Sequence, residues 1–361
     1  MKDPGGSAPA VPPAEVPPPA PVALPDDASA LPERRPRVGR YVVILLLLGV
    51  AIHVLLPQFV SFGETWRVAR SMHLWALAAA LAAEFLSYVG SGYLMKAVAR
   101  VAGERLSLVR GFLIGTASIS VSTVAGGSLA SSAATYRWMR GGGAPVESAF
   151  VVGWVPVLAN ILTVGVVALF GFLYLIFLGK LSPTMALAFG AATAILGGFC
   201  ALVVWAARNP ERLLRFTDRV ARGWARLRRR PHDSLAARAA SGRLHEIWQL
   251  LRRKGWRQPL LADSLNVGFD ILCLFFVFVA AGHAINAAVL LAAYGLPRLL
   301  GKISIFGGLG VVEGSGVALF TLLGVPAGVS VVVMLVFRLI SFWLPVAAGL
   351  PMAAYLEHSG R

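Results

Sequence analysis

Apolar runs recur along this chain at lengths that constrain it more than any motif does. Leu74 to Val98, Pro145 to Leu178, Thr184 to Ala207, Leu260 to Ala281 and Ala327 to Leu350 each hold about 20 residues or more, enough for a helix to cross a hydrocarbon core about 30 Å thick. Tyr41 to Leu56 with its flanks makes a further span. Hydrophobic residues are 57% of the 361 and charged residues only 14%, so the expected fold is an all-α polytopic membrane protein. The net charge of +16 does not point to nucleic acid, because the basic residues cluster between apolar runs, where they read as topology determinants. Cys200 and Cys273 both lie inside apolar runs, which indicates neither a disulfide framework nor a thiolate metal site.

Four regions follow from the composition. Residues 1–37 are rich in Pro and Ala and nearly free of large apolar side chains, as expected of a disordered tail. No basic start and apolar core of a secretory signal stands near residue 10, and Arg34, Arg35, Arg37 and Arg40 ahead of the first apolar run put the tail on the cytoplasmic side. Residues 38–207 hold the first membrane repeat and the first span of the second. Residues 208–257 carry 15 Arg and Lys against four acids, as expected of a cytoplasmic loop of amphipathic helices on anionic headgroups. Residues 258–361 complete the second repeat. Gln58 to Ser71 reads as an interfacial helix, and Pro156 is expected to kink the run it interrupts.

Parity of the basic loops fixes the expected topology. The loop before Gly111 and the 208–257 loop both read as cytoplasmic, so an even number of crossings separates them. Pro145 to Leu178 and Thr184 to Ala207 supply two. The broken segment Gly111 to Arg140 is then expected to be a re-entrant hairpin with Gly126-Gly127 at its tip, shielded by protein or by a water-filled cavity. A second break repeats the first. One offset of 181 carries Gly126 onto Gly307, Gly127 onto Gly308, Gly143 onto Gly324 and Pro145 onto Pro326. Three spans between two such hairpins make them enter from opposite faces, the inverted-repeat arrangement of many transporters. The expectation is about six full spans plus two re-entrant hairpins, six to eight transmembrane helices in all, with cytoplasmic termini.

The second break carries an acid and a base. Glu313 lies 11 residues before Gly324 and Arg338 lies 12 after Pro326, so at about 1.5 Å per helical residue both stand about 17 Å from one turn. An antiparallel hairpin places them at one depth, near the middle of the bilayer if the turn is at its surface.

Gly307-Gly-Leu-Gly-Val-Val-Glu313, Gly324-Val-Pro326 and Arg338-Leu-Ile-Ser-Phe-Trp343-Leu-Pro345 resemble the signature of the lysylphosphatidylglycerol synthase transmembrane-region family, whose members are similar to the flippase half of the multiple peptide resistance factor. The resemblance covers about residues 40 to 350. It implies a bacterial inner-membrane protein that translocates an anionic phospholipid or a lipid-linked headgroup. Where relatives often have Pro before each glycine pair, this chain has Ala125 and Phe306, and Ser131 and Ser132 stand where an acid often follows the first pair. No synthase domain follows Arg361, so aminoacyl transfer is not expected.

Seven ionisable residues fall within apolar segments: Glu84, Asp263, Asp270, Arg298, Lys302, Glu313 and Arg338. Left unpaired in lipid they would cost about 20 kcal/mol together, so they must face protein or water. One reading makes them buried ion pairs that fix helix register. In the other, Arg298, Lys302 and Arg338 line a cavity and neutralise a lipid phosphate while Glu313 holds Arg338 or accepts a proton, Arg being suited to phosphate by its planar fork. Gly126, Gly127, Gly307 and Gly308 serve close packing in one reading; in the other they are hairpin tips whose freed N–H groups bind an anionic headgroup. Thr116, Ser118, Ser120 and Ser122 form a small polar row that reads as packing. Three classes of function remain. A flippase-like lipid transporter leads. An intramembrane enzyme would need a clustered nucleophile and base or a metal set, which the sequence lacks. A membrane scaffold for a partner glycosyltransferase rests only on the basic loop.

Overall fold

A computed structural model describes residues 62–125, 127–177, 255–303 and 308–359, with isolated positions between 179 and 205. The tail, the first span, the basic loop up to Lys254 and most of Thr184 to Ala207 lie outside the described residues, as do Gly126 and Gly307. Every described element is helical: α1 Phe62–Arg70, α2 Leu74–Val101, α3 Leu108–Ala125, α4 Gly127–Gly141, α5 Val146–Phe177, α6 Arg257–Ala280, α7 Ala287–Ile303, α8 Val311–Leu322, α9 Ala327–Arg338 and α10 Leu344–Ser359. A π-helical turn, Leu339–Trp343, joins α9 to α10. Among the described residues, four stretches are long and apolar enough to cross a membrane: α2, α5, α6 and the continuous stretch Ala327–His358.

The distribution of side chains is that of a protein in lipid. Leu81 and Phe85 on α2 and Phe170 and Leu173 on α5 are exposed, while Glu84, Asp263, Glu313 and Arg338 are buried. An apolar exterior over an ionisable interior suits a hydrocarbon solvent, in which charge is stable only where protein or water surrounds it. α5 runs on as helix through Pro156. α1 carries Arg67 and Arg70 in its last turn, and Arg70 lies over the Trp66 ring at 4.7 Å. Its short amphipathic stretch agrees with an interfacial segment.

Glycine sets how closely the helices approach. α2 packs along α6, where a Cβ on Gly90 would lie 2.9 Å from the backbone nitrogen of Asn266. α5 packs on α7 and α3 on α10. A Cβ on Gly295 would sit 2.8 Å from Ala168 Cα, and one on Gly349 would sit 2.6 Å from the Thr116 carbonyl oxygen. Backbones this close are the packing that small residues permit in membranes. α4 and α8 end alike. Gly143 N–H donates to Arg140 O and Ala144 N–H to Met139 O, as Gly324 N–H donates to Thr321 O and Val325 N–H to Phe320 O. Both are Schellman turns, with glycine in the left-handed region at φ 88° and 94°.

Candidate functional site

A cavity of about 220 Å³ lies among the helices, lined from α2, α3, α4, α5, α6, α7, α8 and the α9–π junction. Its lining is polar for a site inside an apolar bundle. α2 contributes Glu84, Ser87, Tyr88 and Ser91; α6 contributes Asn266 and Asp270. Arg298, Lys302 and Arg338 bring positive charge, and Ser118, Ser122, Ser128 and Ser131 supply hydroxyls from the two arms around Gly127.

The α9–π junction is built by one proline. Pro345 has no N–H, so the carbonyl four residues earlier, that of Ser341, lacks its α-helical donor. The chain widens there into the π turn, a device often found at functional sites, and the hydroxyl of Tyr88 donates to Ser341 O at 2.9 Å. The same junction aims Arg338 inward. Its Nε donates to Glu313 Oε1 at 2.6 Å, with both side chains almost wholly buried, and its Cζ lies 3.9 Å from the Phe342 ring centroid, within the range of a cation–π contact. Glu313 sits in the first turn of α8, where the helix dipole favours a carboxylate. It stands behind Arg338 and does not line the cavity.

Arg298 has a partner that sequence reading did not assign. Its Nη2 donates to Asp270 Oδ2, and Tyr294 donates to the same oxygen at 2.6 Å. The signal was present. Asp270 lies 10 residues before the end of α6 and Arg298 lies 11 after the start of α7, so the depth count that pairs Glu313 with Arg338 pairs these two as well. Lys302, one helical turn beyond Arg298, has no ion-pair partner among the described residues. Asp263, fully buried, accepts from Asn160 Nδ2 at 3.2 Å and is not part of the lining.

The glycines divide. Gly127, at φ 74°, lines the cavity at the start of α4. Gly308, at φ 84°, packs instead against Gly301, whose Cα would lie 3.0 Å from a Cβ placed there. The hydroxyl row also divides. Ser118 and Ser122 line the cavity, whereas Ser120 donates to the carbonyls of Pro345 and Val346 and, with Thr116, meets Gly349. Residues two apart on a helix face opposite ways, so one row serves both a site and a packing seam. Three buried donors on lining residues have no acceptor among the described residues: Arg298 Nε, Arg338 Nη2 and the Ser341 hydroxyl.

These features define a multi-pass helical membrane protein with a charged internal cavity. The family model of the lysylphosphatidylglycerol synthase TM region matches residues 42–349, and the chain belongs to that family. It is 31% identical over 140 residues to a UPF0104 membrane protein of Methanothermobacter thermautotrophicus, covering 37% of this chain and 41% of that protein. It is also 31% identical over 114 residues to a UPF0104 membrane protein of Pyrococcus horikoshii, covering 30% and 34% respectively. These matches span less than half the length of either relative.

Proposed function

We propose that the protein translocates an anionic phospholipid or a lipid-linked headgroup across a bacterial inner membrane, with the cavity as the headgroup site. One observation carries this reading. Two guanidinium nitrogens are buried without acceptors on lining residues, beside a lysine that makes no ion pair among the described residues. A buried donor left unsatisfied costs about 1 to 3 kcal/mol, and a phosphate in the cavity would satisfy both guanidinium groups and the ammonium at once. Arg338 and Arg298 would act as hydrogen-bond donors whose charges Glu313 and Asp270 already balance. Lys302 would add an ammonium that makes no ion pair with a described carboxylate.

The test is headgroup accessibility in proteoliposomes with fluorescent phosphatidylglycerol and a panel of lipid-linked anions. The full chain is expected to speed exchange between leaflets, and Lys302→Met to slow it about tenfold or more, the loss of one charge-assisted contact. Exchange no faster than in protein-free vesicles across the panel overturns the reading.

An inverted repeat is the architecture we infer around this site. The offset of 181 carries Val146 onto Ala327 and Phe177 onto His358, so that α5 corresponds to the stretch from α9 through α10. It also carries the two Schellman turns onto each other bond for bond. In this reading α3 with α4, and α7 with α8, are re-entrant hairpins entering from opposite faces, and the termini are cytoplasmic. Cysteines placed at Pro145 and Pro326, both exposed turn positions, in a chain with Cys200 and Cys273 replaced, are expected to react with impermeant thiol reagents from opposite sides. Labelling from one side refutes the inversion.

A further inference from the structure

The cavity draws its open hydrogen-bond donors and its open acceptors from different helices. The donors without partners come from α7, α9 and the π turn: Arg298 Nε, Arg338 Nη2 and the Ser341 hydroxyl. The α3 and α4 arms present the reverse. A serine hydroxyl has one proton and two lone pairs, and here the proton stays within the helix. Ser118 donates to Gly115 O at 2.7 Å, Ser122 to Ile119 O at 2.7 Å and Ser131 to Ser128 O at 2.9 Å. Such bonds to a carbonyl one turn back are a common use of helical serine, and they leave lone pairs as what these three residues offer the cavity they line. Two further acceptors on lining residues are buried and have no donor, Glu84 Oε2 and Asp270 Oδ1.

The oxygens of a lipid phosphodiester are acceptors, so they answer the donors and not the acceptors. What remains calls for a donor-bearing group carried next to the phosphate. An ammonium fits poorly, because Asp270 already holds the Arg298 guanidinium and Lys302 lines the same cavity, so a further cation would meet like charge. Hydroxyls carry no charge and donate as well as accept. Spacing narrows the class. Ser118 and Ser122 stand one turn apart on α3, about 6 Å along the axis. That is further than two neighbouring hydroxyls of a glycerol reach and comparable with hydroxyls on opposite sides of a six-membered ring.

We propose that the headgroup is a cyclic polyol, a sugar or inositol ring joined to the lipid through its phosphate. The phosphate takes the donors of Arg298, Lys302 and Arg338, and the ring hydroxyls donate to the serines of α3 and α4. This inference rests on the headgroup reading above and narrows it. Two sources share the chemistry, an inositol phospholipid and a sugar carried on a prenyl phosphate.

Calorimetric titration of the full chain in detergent with short-chain probes tests the ring and separates the sources. Two pairs of probes keep charge and ring the same and differ in hydroxyls: phosphatidylinositol against phosphatidylcyclohexanol, and glucosyl citronellyl phosphate against cyclohexyl citronellyl phosphate. The hydroxylated member of at least one pair is expected to bind about tenfold more tightly or better, since one net hydrogen bond changes affinity about two- to tenfold and several are made. The pair that shows the preference names the source. Ser118→Ala is expected to cut that preference about two- to tenfold, with Ser122→Ala as the second variant should the first fail to fold. Equal affinities within both pairs overturn the polyol ring and leave the anionic headgroup standing. Tighter binding of short-chain phosphatidylethanolamine than of either hydroxylated probe overturns the ring in favour of an amine. A preference unchanged in both folded serine variants overturns the assignment of the ring to α3. No binding by any probe overturns the headgroup reading and the ring together.

Discussion

Glu313→Gln and Arg338→Met are each expected to lower stability by about 3 to 5 kcal/mol, while the double variant recovers most of that loss. The pair is joined at 2.6 Å and almost wholly buried on both sides, so either single change strands a charge or an orphaned polar group where water cannot reach it. Replacing both removes the charges together, and an apolar replacement of a buried pair is often near neutral for folding. Denaturation of the detergent-solubilised protein measures the stabilities, and the proteoliposome assay measures exchange. The two readouts should separate, because none of the three variants presents the Arg338 guanidinium to the cavity as the wild type does. A double variant that is both stable and fully active would make the pair a strut and move the headgroup site elsewhere.

Gly171→Leu should be comparably damaging for a reason unrelated to charge. A Cβ at Gly171 meets the Ala292 backbone nitrogen and lies 2.8 Å from both Ala292 Cα and Leu291 C. Overpacking typically costs about 1 to 3 kcal/mol where neighbours can turn aside. Here the obstacle is the main chain of α7, so the expected loss is at the top of that range or beyond. Gly268→Ala is the control, since nothing lies within 4 Å of a Cβ there. It should match or exceed wild-type stability, as replacing a mid-helix glycine by alanine favours the helix by about 1 kcal/mol. Equal stability of Gly171→Leu and the control would show that α5 and α7 do not need this approach.

Much of the helical layout was legible in the sequence because apolar length and glycine-proline punctuation carry it. The run from Leu74, the break at Gly126-Gly127 and the run from Leu260 mark α2, the α3–α4 junction and α6. Depth counted from one turn placed Glu313 beside Arg338, since two helices leaving a tight turn keep step at 1.5 Å per residue. What escaped was rotation about each helix axis. Period alone divides Thr116 and Ser120 from Ser118 and Ser122, but it does not say which pair faces Gly349 and which the cavity. Glu84 read as a register-fixing ion pair because Asp270, which lines the same cavity, is 186 residues away in the chain, and only the packing of α2 on α6 brings both to it. The opening of the helix at Ser341 likewise needs both Pro345 and a tyrosine from another element.

The crossed packing of α5 on α7 and of α10 on α3 bears on how such a molecule could change shape. Residues 62–177 and 255–359 are separate stretches of the chain but not separate packing units, because each lends its long helix to the other's broken one. Gly171 and Gly295 bring α5 and α7 together almost backbone to backbone, and Gly349 does the same for α10 and α3. Rocking one chain half against the other would have to tear both seams. A gate that opens on one side must instead carry a mixed bundle, such as α5 with α7, as one lever. The glycines at these seams thus set which helices would have to move together.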